Sequence, residues 1–235
     1  MEFPIRINKY LAHQGIASRR EADALVEAKK VLINGKKAKN GDQVVESDKV
    51  EVIGATKTKS YLAYYKGRGI ITHSPSEREV DIAQRLLKDY KISDVAPIGR
   101  LDKDSEGLMI LSNDGRITGP LLDPESAHEK EYEVTVDKVI SGMFLKAMTA
   151  GVDIEGYRTK PSVVTPSKNN EKRFTIILTE GKKHQIRRMC AALGYQIQSL
   201  KRVRIMNIKL DKLKPNQYRK LVGKELEDFL RALGK

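Results

Sequence analysis

Along residues 5–53 the apolar positions pass from a helical rhythm to an alternating one. Ile7, Tyr10 and Leu11 recur at i, i+3 and i+4, which places them on one helical face, and Gly15 can stop that helix in a left-handed conformation. Ser18-Arg19-Arg20-Glu21 reads as a capping box, the hydroxyl covering an N-terminal amide while the glutamate reaches back. A second helix then turns Ala22, Leu25 and Val26 inward. Val31-Leu32-Ile33, Asn34-Gly35 and Lys36-Lys37-Ala38 form a hairpin signal, because Asn-Gly accepts the positive φ angles of a two-residue turn. Gly41-Asp42 marks another turn, and Val50 to Ile53 a short closing strand.

The stretch 54–60, Gly-Ala-Thr-Lys-Thr-Lys-Ser, has no apolar period. It divides the chain into a small module over 1–55, a linker over 56–60 and a larger unit over 61–235. Beyond it, strand and helix patterns mix. Tyr61 to Tyr65, Leu108 to Leu111, Glu131 to Val136 and Phe174 to Leu178 read as strands, with Tyr132, Val134 and Val136 on one face of the third. Ile82 to Leu87 and His184 to Leu193 read as helices, and a last helix puts Leu226, Phe229, Leu230 and Leu233 on one stripe. The fold class expected is α+β.

Charge adds a partner to this picture. The 235 residues hold 44 Lys+Arg against 31 Asp+Glu, a formal net charge of +13. Such an excess favours a polyanion, since cations that neutralise phosphates release condensed counterions. No apolar run nears the roughly 18 residues of a membrane-spanning helix, and Met1-Glu2-Phe3-Pro4 lacks the basic-then-apolar pattern of a signal peptide, so neither membrane nor export is expected. The single cysteine, Cys190, excludes an intrachain disulfide and a Cys-rich zinc site, which points to a reducing cytoplasm. The polar surface of the small module is rich in cations: Arg6, Lys9, Arg19, Arg20, Lys29, Lys30, Lys36, Lys37 and Lys39. Arg19 and Arg20 stand in the first turn of a helix, where the macrodipole disfavours positive charge unless a phosphate sits at the amides. On charge alone an ordinary solvated face remains as good a reading.

The runs Ile5-Arg6-Ile7-Asn8-Lys9-Tyr10-Leu11, Gly15-Ile16-Ala17-Ser18-Arg19-Arg20-Glu21-Ala22 and Val31-Leu32-Ile33-Asn34-Gly35 resemble an S4 domain. That resemblance implies binding of structured RNA through the basic face, without saying which chemistry follows.

Residues 97–115, from Pro97-Ile98-Gly99-Arg100-Leu101-Asp102 to Leu111-Ser112-Asn113-Asp114-Gly115, form a polar, glycine-bounded loop leading into a buried strand. By itself this could be a surface turn with local ion pairs. Its Gly-Arg-Leu-Asp, then Gly-Leu, then a strand ending in Asn-Asp-Gly, resembles the signature of RNA pseudouridine synthases of the RsuA/RluF type. The resemblance implies a mixed, mainly antiparallel catalytic sheet and makes Asp102 the catalytic aspartate. Leu178-Thr179-Glu180-Gly181-Lys182-Lys183-His184-Gln185-Ile186-Arg187-Arg188-Met189 resembles the segment whose arginine pairs with that aspartate, here Arg187. Lys130-Glu131-Tyr132 resembles the pattern that sets a tyrosine, here Tyr132, against the target base. Ile186, Met189, Cys190 and Leu193 would form the buried face of the second segment, with His184, Arg187 and Arg188 together on the other.

Pseudouridine formation cuts the C1′–N1 bond, turns the uracil and rejoins it through C5, so the resemblance calls for no metal and no cofactor. Asp102 could attack C1′ or remove a sugar proton; the sequence leaves both open. Further RNA contacts are expected from Arg100, Lys130, Lys182, Lys183 and Arg188. Between residues 200 and 220 eight Lys/Arg face one acid, Asp211, which marks Lys201, Arg202 and Arg204 as a second RNA-contact strip. One departure is Lys66-Gly67-Arg68-Gly69 where the family has Lys-Pro-x-Gly, an exchange expected to loosen that loop. Glu129-Lys130-Glu131-Tyr132 and Arg204 to Ile208 lean toward the RluF branch, which implies large-subunit (23S) ribosomal RNA as substrate and, as in some members of the branch, transfer RNA; the chain is expected to be a monomer. The competing reading is a non-catalytic S4-type RNA binder or ribosome-assembly protein, which would leave Asp102, Tyr132 and Arg187 without a purpose. A methyltransferase would call for a glycine-rich nucleotide loop between strand and helix, which the chain lacks.

Overall fold

In a computed structural model of the chain, the structure describes residues 2–54, 58–73 and 79–235. The helices Ile7–His13 and Arg19–Glu27 open the N-terminal module. Ser18 Oγ accepts from the Glu21 amide at 3.3 Å and the Ser18 amide donates to Glu21 Oε2 at 2.9 Å, closing the capping box. A cap of this kind is worth about 1 kcal/mol. Val31–Ile33 pairs with Lys36–Lys37 through a turn in which Asn34 and Gly35 have φ of 50° and 77°, and with Val50–Val52 on its other edge. Ile5, Ile7, Leu11, Ala22, Val26, Val31 and Val44 form a core of their own.

The larger unit is built on a nine-stranded sheet. Its strands run in the order Val163–Pro166, Arg173–Leu178, Lys130–Val136, Ile197–Ile205, Glu106–Ser112, Tyr61–Lys66 and Tyr218–Lys220, with Ala96–Ile98 and Ile208–Lys209 added beside the fifth and fourth. Every pairing is antiparallel except that between 197–205 and 106–112, which is parallel and matches Lys201 with Glu106 and Arg202 with Gly107. Two antiparallel half-sheets thus meet at one parallel seam.

The strands 61–66 and 106–112 are covered on both faces, which explains their unbroken apolar runs. Leu62, Tyr64, Met109 and Leu111 pack toward the helix Ile82–Tyr90, while Tyr61, Ala63, Tyr65, Leu108 and Ile110 pack toward Phe229 of the helix Gly223–Ala232 and toward Leu233, which caps its end. The other half-sheet contributes Val134, Val136, Phe174, Ile176 and Leu200 to a core shared with Phe144 and Met148 of the helix Gly142–Ala150 and with Ile186, Met189 and Cys190 of the helix Gln185–Ala192. Burial pushes the Cys190 thiol up to about 12, as suits a core residue and not a nucleophile.

Of the expected linker, 55–57 lie outside the described residues, and 58–60 are held to the end of the 106–112 strand. The Ser60 amide donates to Asn113 Oδ1 at 2.8 Å, Asn113 Nδ2 donates to the Thr58 carbonyl at 3.0 Å and Ser112 Oγ to the Ser60 carbonyl at 2.7 Å. Next to them Asp114 is buried. Burial works to raise its carboxyl, but hydrogen bonds from Arg116 and Tyr61 outweigh that and hold it below the usual range. This turn packs on the N-terminal module so closely that a Cβ at Gly115 would lie 2.9 Å from the Ala12 carbonyl oxygen.

The strand 197–205, at nine residues, departs from the sequence reading. Of Lys201, Arg202 and Arg204, expected on an RNA-facing strip, Lys201 and Arg204 are paired with acids of the protein itself, and Arg202 lines a cleft. Lys201 pairs with Glu133 at 3.3 Å, and Arg204 with Glu131 at 2.6 Å and Glu129 at 2.9 Å. Arg202 is 5% exposed. The physical reason is position: a central strand places charged side chains over neighbouring strands whose acids and carbonyls then satisfy them.

Gly107 carries the seam. Its φ is +113°, and a Cβ there would lie 2.2 Å from the Arg202 carbonyl oxygen and 2.6 Å from the Arg202 amide nitrogen. Gly107→Ala should therefore cost at least about 3 kcal/mol, from strain and overpacking together. Urea unfolding at neutral pH measures it, and a stability within error of wild type would contradict this account of the seam.

Candidate active site

The loop 99–105 enters the sheet at this seam and carries Asp102. Leu101 is buried, with its amide accepted by Thr72 Oγ1 at 2.9 Å and its carbonyl taking the Thr72 hydroxyl at 2.7 Å. The Ser105 amide closes a turn onto the Asp102 carbonyl at 3.1 Å. Anchoring the residues on either side leaves the Asp102 side chain at the edge of a cleft of about 600 Å³. Arg100, Asp102, Lys130, Tyr132, Lys182, Lys183, His184 and Arg202 all line that cleft.

Two cationic or protonatable groups bracket the carboxylate. Arg187 Nε lies 3.9 Å from Asp102 Oδ2, and its Nη2 donates to Ser105 Oγ at 3.1 Å. His184 Nε2 lies 3.6 Å from Asp102 Oδ1. The helix 185–192 presents both, with His184 at its N-cap in a left-handed conformation, φ 53°. The preceding turn is fixed from below by Glu180, which is buried and accepts from Gln185 Nε2 at 2.6 Å, the Tyr157 hydroxyl at 2.5 Å and the Lys160 amide at 3.0 Å. The Asp102 and Arg187 side chains are 37% and 27% exposed; Asp102 and His184 line the cleft, and Arg187 lines an adjoining hollow of about 430 Å³ that Asp102 and His184 also border.

Other expected contacts fall differently. Arg188 does not join His184 and Arg187; its guanidinium turns to Glu155 at 2.8 Å and to the Ile154 carbonyl at 3.1 Å. The Lys182 ammonium sits 4.5 Å above the Tyr157 ring, and Lys183 and Arg100 are exposed at the rim. Arg6, Lys9, Arg19, Arg20, Lys36 and Lys37 are exposed and make no ion pair among the described residues. Asp104 is exposed, while Glu106 accepts from the Tyr65 hydroxyl at 3.0 Å.

Two supports of the site escape sequence reasoning. One is Ser105, whose hydroxyl receives Arg187; nothing in a single serine announces that contact. The other is Lys66, which is fully buried beneath the loop and donates to the carbonyls of Ile70 at 2.6 Å, Ser105 at 2.7 Å, Gly67 at 3.1 Å and Lys103 at 3.4 Å. Nor is the neighbouring loop loosened by glycine in place of proline. The Gly67 amide, which proline would lack, donates to Asn216 Oδ1 at 3.1 Å, and a Cβ at Gly67 would lie 2.7 Å from that same atom.

An enzyme acting on RNA is the class that this architecture defines: a small basic module joined to a sheet whose seam opens into a cleft of nucleoside size around one cation-bracketed carboxylate. The comparisons make it particular. The S4 domain model matches residues 5–50 and the RNA pseudouridylate synthase model matches residues 60–192, and the chain belongs to the RNA pseudouridylate synthase family. It is 41% identical over 235 residues to the dual-specificity RNA pseudouridine synthase RluF of Escherichia coli (strain K12), covering 97% of this chain and 79% of that one. It is 32% identical over 236 residues to the ribosomal large subunit pseudouridine synthase B of Bacillus subtilis (strain 168), covering 97% and 96%. A crystal structure of a pseudouridylate synthase is similar with a TM-score of 0.71 at 26% identity, covering 97% of this chain and 99% of that one. The non-catalytic reading is thereby set aside.

Lys66 gives the site a measurable signature. Burial brings its ammonium down to about 8, against the opposing pull of Asp102, Asp104 and Glu106. An unfolded lysine titrates near about 10.4, so between about 8 and 10.4 the unfolded chain holds the extra proton. The contribution of Lys66 to stability must then improve as pH rises through that window. The stability difference between wild type and Lys66→Met, from urea unfolding, should shift in favour of wild type between about pH 7.5 and about pH 10. A difference that does not change with pH would refute the perturbed lysine.

Proposed function

We propose that this chain isomerises one uridine in a structured segment of 23S ribosomal RNA, with transfer RNA as a second substrate, and that it works as a cytoplasmic monomer. The observation that carries the chemistry is Asp102 at the mouth of the cleft, with Arg187 on one carboxylate oxygen and His184 on the other. The choice of RNA is supported by the names of the relatives, one called dual-specificity and one assigned to the large ribosomal subunit. The compartment is supported by those bacterial relatives and by the absence, among the described residues, of any helix long and apolar enough to cross a membrane.

In this reading the exposed cations of the N-terminal module, Arg6, Lys9, Arg19, Arg20, Lys36 and Lys37, hold the RNA backbone. Arg100, Lys182 and Lys183 meet phosphates at the rim of the cleft. The target nucleotide leaves its stack to enter the cleft, and Tyr132 lies against its base. Asp102, beside Arg187, acts at the sugar by attack on C1′ or by removal of a sugar proton. The N1–C1′ bond breaks, the uracil turns, C5 bonds to C1′, and the C5 proton is lost as N1 gains one.

Asp102→Asn should abolish pseudouridine formation on RNA fragments while affinity stays within about threefold, because the amide preserves shape and removes the reactive anion. Arg187→Ala should slow turnover by about 100-fold through loss of the partner cation. Single-turnover conversion and filter binding read both; a normal rate in either variant dismisses the role assigned to it.

Chemical mapping of pseudouridines in ribosomal and transfer RNA from cells lacking the protein should show one or a few missing sites in 23S RNA and in transfer RNA. Identical maps with and without the protein would reject the substrate assignment.

A further inference from the structure

Two cations deep in the cleft have no role in the chemistry described so far. Lys130 and Tyr132 are alternate residues of one strand and so share a face, and Arg202 is the direct register partner of Tyr132 on the next strand. All three line the cleft that Asp102 borders. Neither cation meets a carboxylate among the described residues. The Lys130 ammonium donates to the His128 carbonyl at 3.0 Å. Arg202, almost fully buried, donates Nε to the Leu108 carbonyl at 2.7 Å and Nη2 to the Met109 thioether at 2.7 Å, a weak acceptor.

The contrast lies within the same two strands. Lys201 and Arg204, neighbours of Arg202, are matched with Glu133, Glu131 and Glu129. The cations turned toward the cleft meet carbonyls and a thioether but no carboxylate among the described residues. Burying unpaired positive charge is costly, and it tells here on Lys130, whose ammonium is driven below the usual lysine range first by burial and then by Arg202. Such a site is incomplete until a negative charge arrives.

We propose that Lys130 and Arg202 stabilise the negative charge that develops on uracil as it detaches from the ribose. This rests on the isomerase reading above. Whichever route Asp102 takes at the sugar, the electron pair of the C1′–N1 bond remains on N1 and spreads to O2 and O4. The uracil anion then turns, C5 attacks C1′, the C5 proton is lost and N1 is protonated, so nothing is oxidised or imported. Preorganised cations in a water-poor cleft are worth most where charge appears only in the transition state. A phosphate is the poorer occupant: it is charged from the outset and is met first by the exposed rim cations Arg100, Lys182 and Lys183, whereas Arg202 lies beside Tyr132 at the depth a base would reach.

The test compares uridine and 5-fluorouridine in one RNA fragment containing the mapped site, because fluorine withdraws electrons and already stabilises the uracil anion. Rearrangement is followed under single-turnover conditions as disappearance of the starting nucleoside. Lys130→Met should slow uridine RNA by about 100-fold with affinity within about threefold, and slow 5-fluorouridine RNA by only about tenfold or less. Lys130→Arg should restore most of the rate on both. Should Lys130→Met fail to fold by circular dichroism, Lys130→Gln takes its place with the same expected pattern. Equal slowing on the two RNAs, or a salt-dependent loss of affinity with an unchanged rate, would overturn the proposal, the latter in favour of a phosphate contact. A wild-type protein that converts neither RNA would overturn the isomerase reading itself and this inference with it.

Discussion

The parallel contact between strands 106–112 and 197–205 is the constraint on which the rest of the molecule depends. Two antiparallel half-sheets, each with its own helices and core, are joined along that line, and glycine at 107 is what lets the backbones approach. The loop carrying Asp102 ends where the seam begins, at Glu106. Across the seam Arg202 faces Gly107, and Tyr132 lies one strand further on, in register with Arg202. The cleft is therefore a product of the join, and its position follows from the register of the two backbones.

Rigidity around the cleft comes from buried polar groups used as bolts. Lys66 gathers four carbonyls beneath the loop, Glu180 fixes the turn that presents His184 and Arg187, and Thr72 grips Leu101 by both its amide and its carbonyl. Each burial is costly by itself and tolerable only because nearly every donor and acceptor finds a partner. The half-exposed Asp102 stands in the middle of this fixed frame. In the proposed reaction a single carboxylate acts, and it needs such a frame, since a displaced group loses its orientation toward the reacting atoms.

Charge is sorted by direction as well as by amount. Arg6, Lys9, Arg19, Arg20, Lys36 and Lys37 of the N-terminal module stand in solvent without ion pairs among the described residues, and many of the cations on the large sheet are neutralised by neighbouring acids. Residues 1–55 hold ten Lys/Arg against eight Asp/Glu, so most of the net charge of +13 belongs to the large unit, and what the small module offers a polyanion is the placement of its exposed cations, not an excess of them.

By itself the sequence determined what local rules govern. The capping box at Ser18, the Asn34-Gly35 turn, the apolar strands 61–66 and 106–112 and the last helix all follow from periodicity and turn chemistry over a few residues. The ordered run around Asp102, with the segments holding Tyr132 and Arg187, was legible because motif spacing survives without coordinates. Tertiary structure decided the rest. Whether Lys201, Arg202 and Arg204 face RNA or their own sheet depends on which strands lie alongside, and a row of alternating cations looks the same in either setting. Ser105 and Lys66 support the site through carbonyls and a guanidinium brought together from distant segments of the chain. The loss of proline at 67 could be judged only once Asn216 was seen to take the amide that glycine provides. Long-range pairing assigns such polar groups their partners, and no local pattern encodes it.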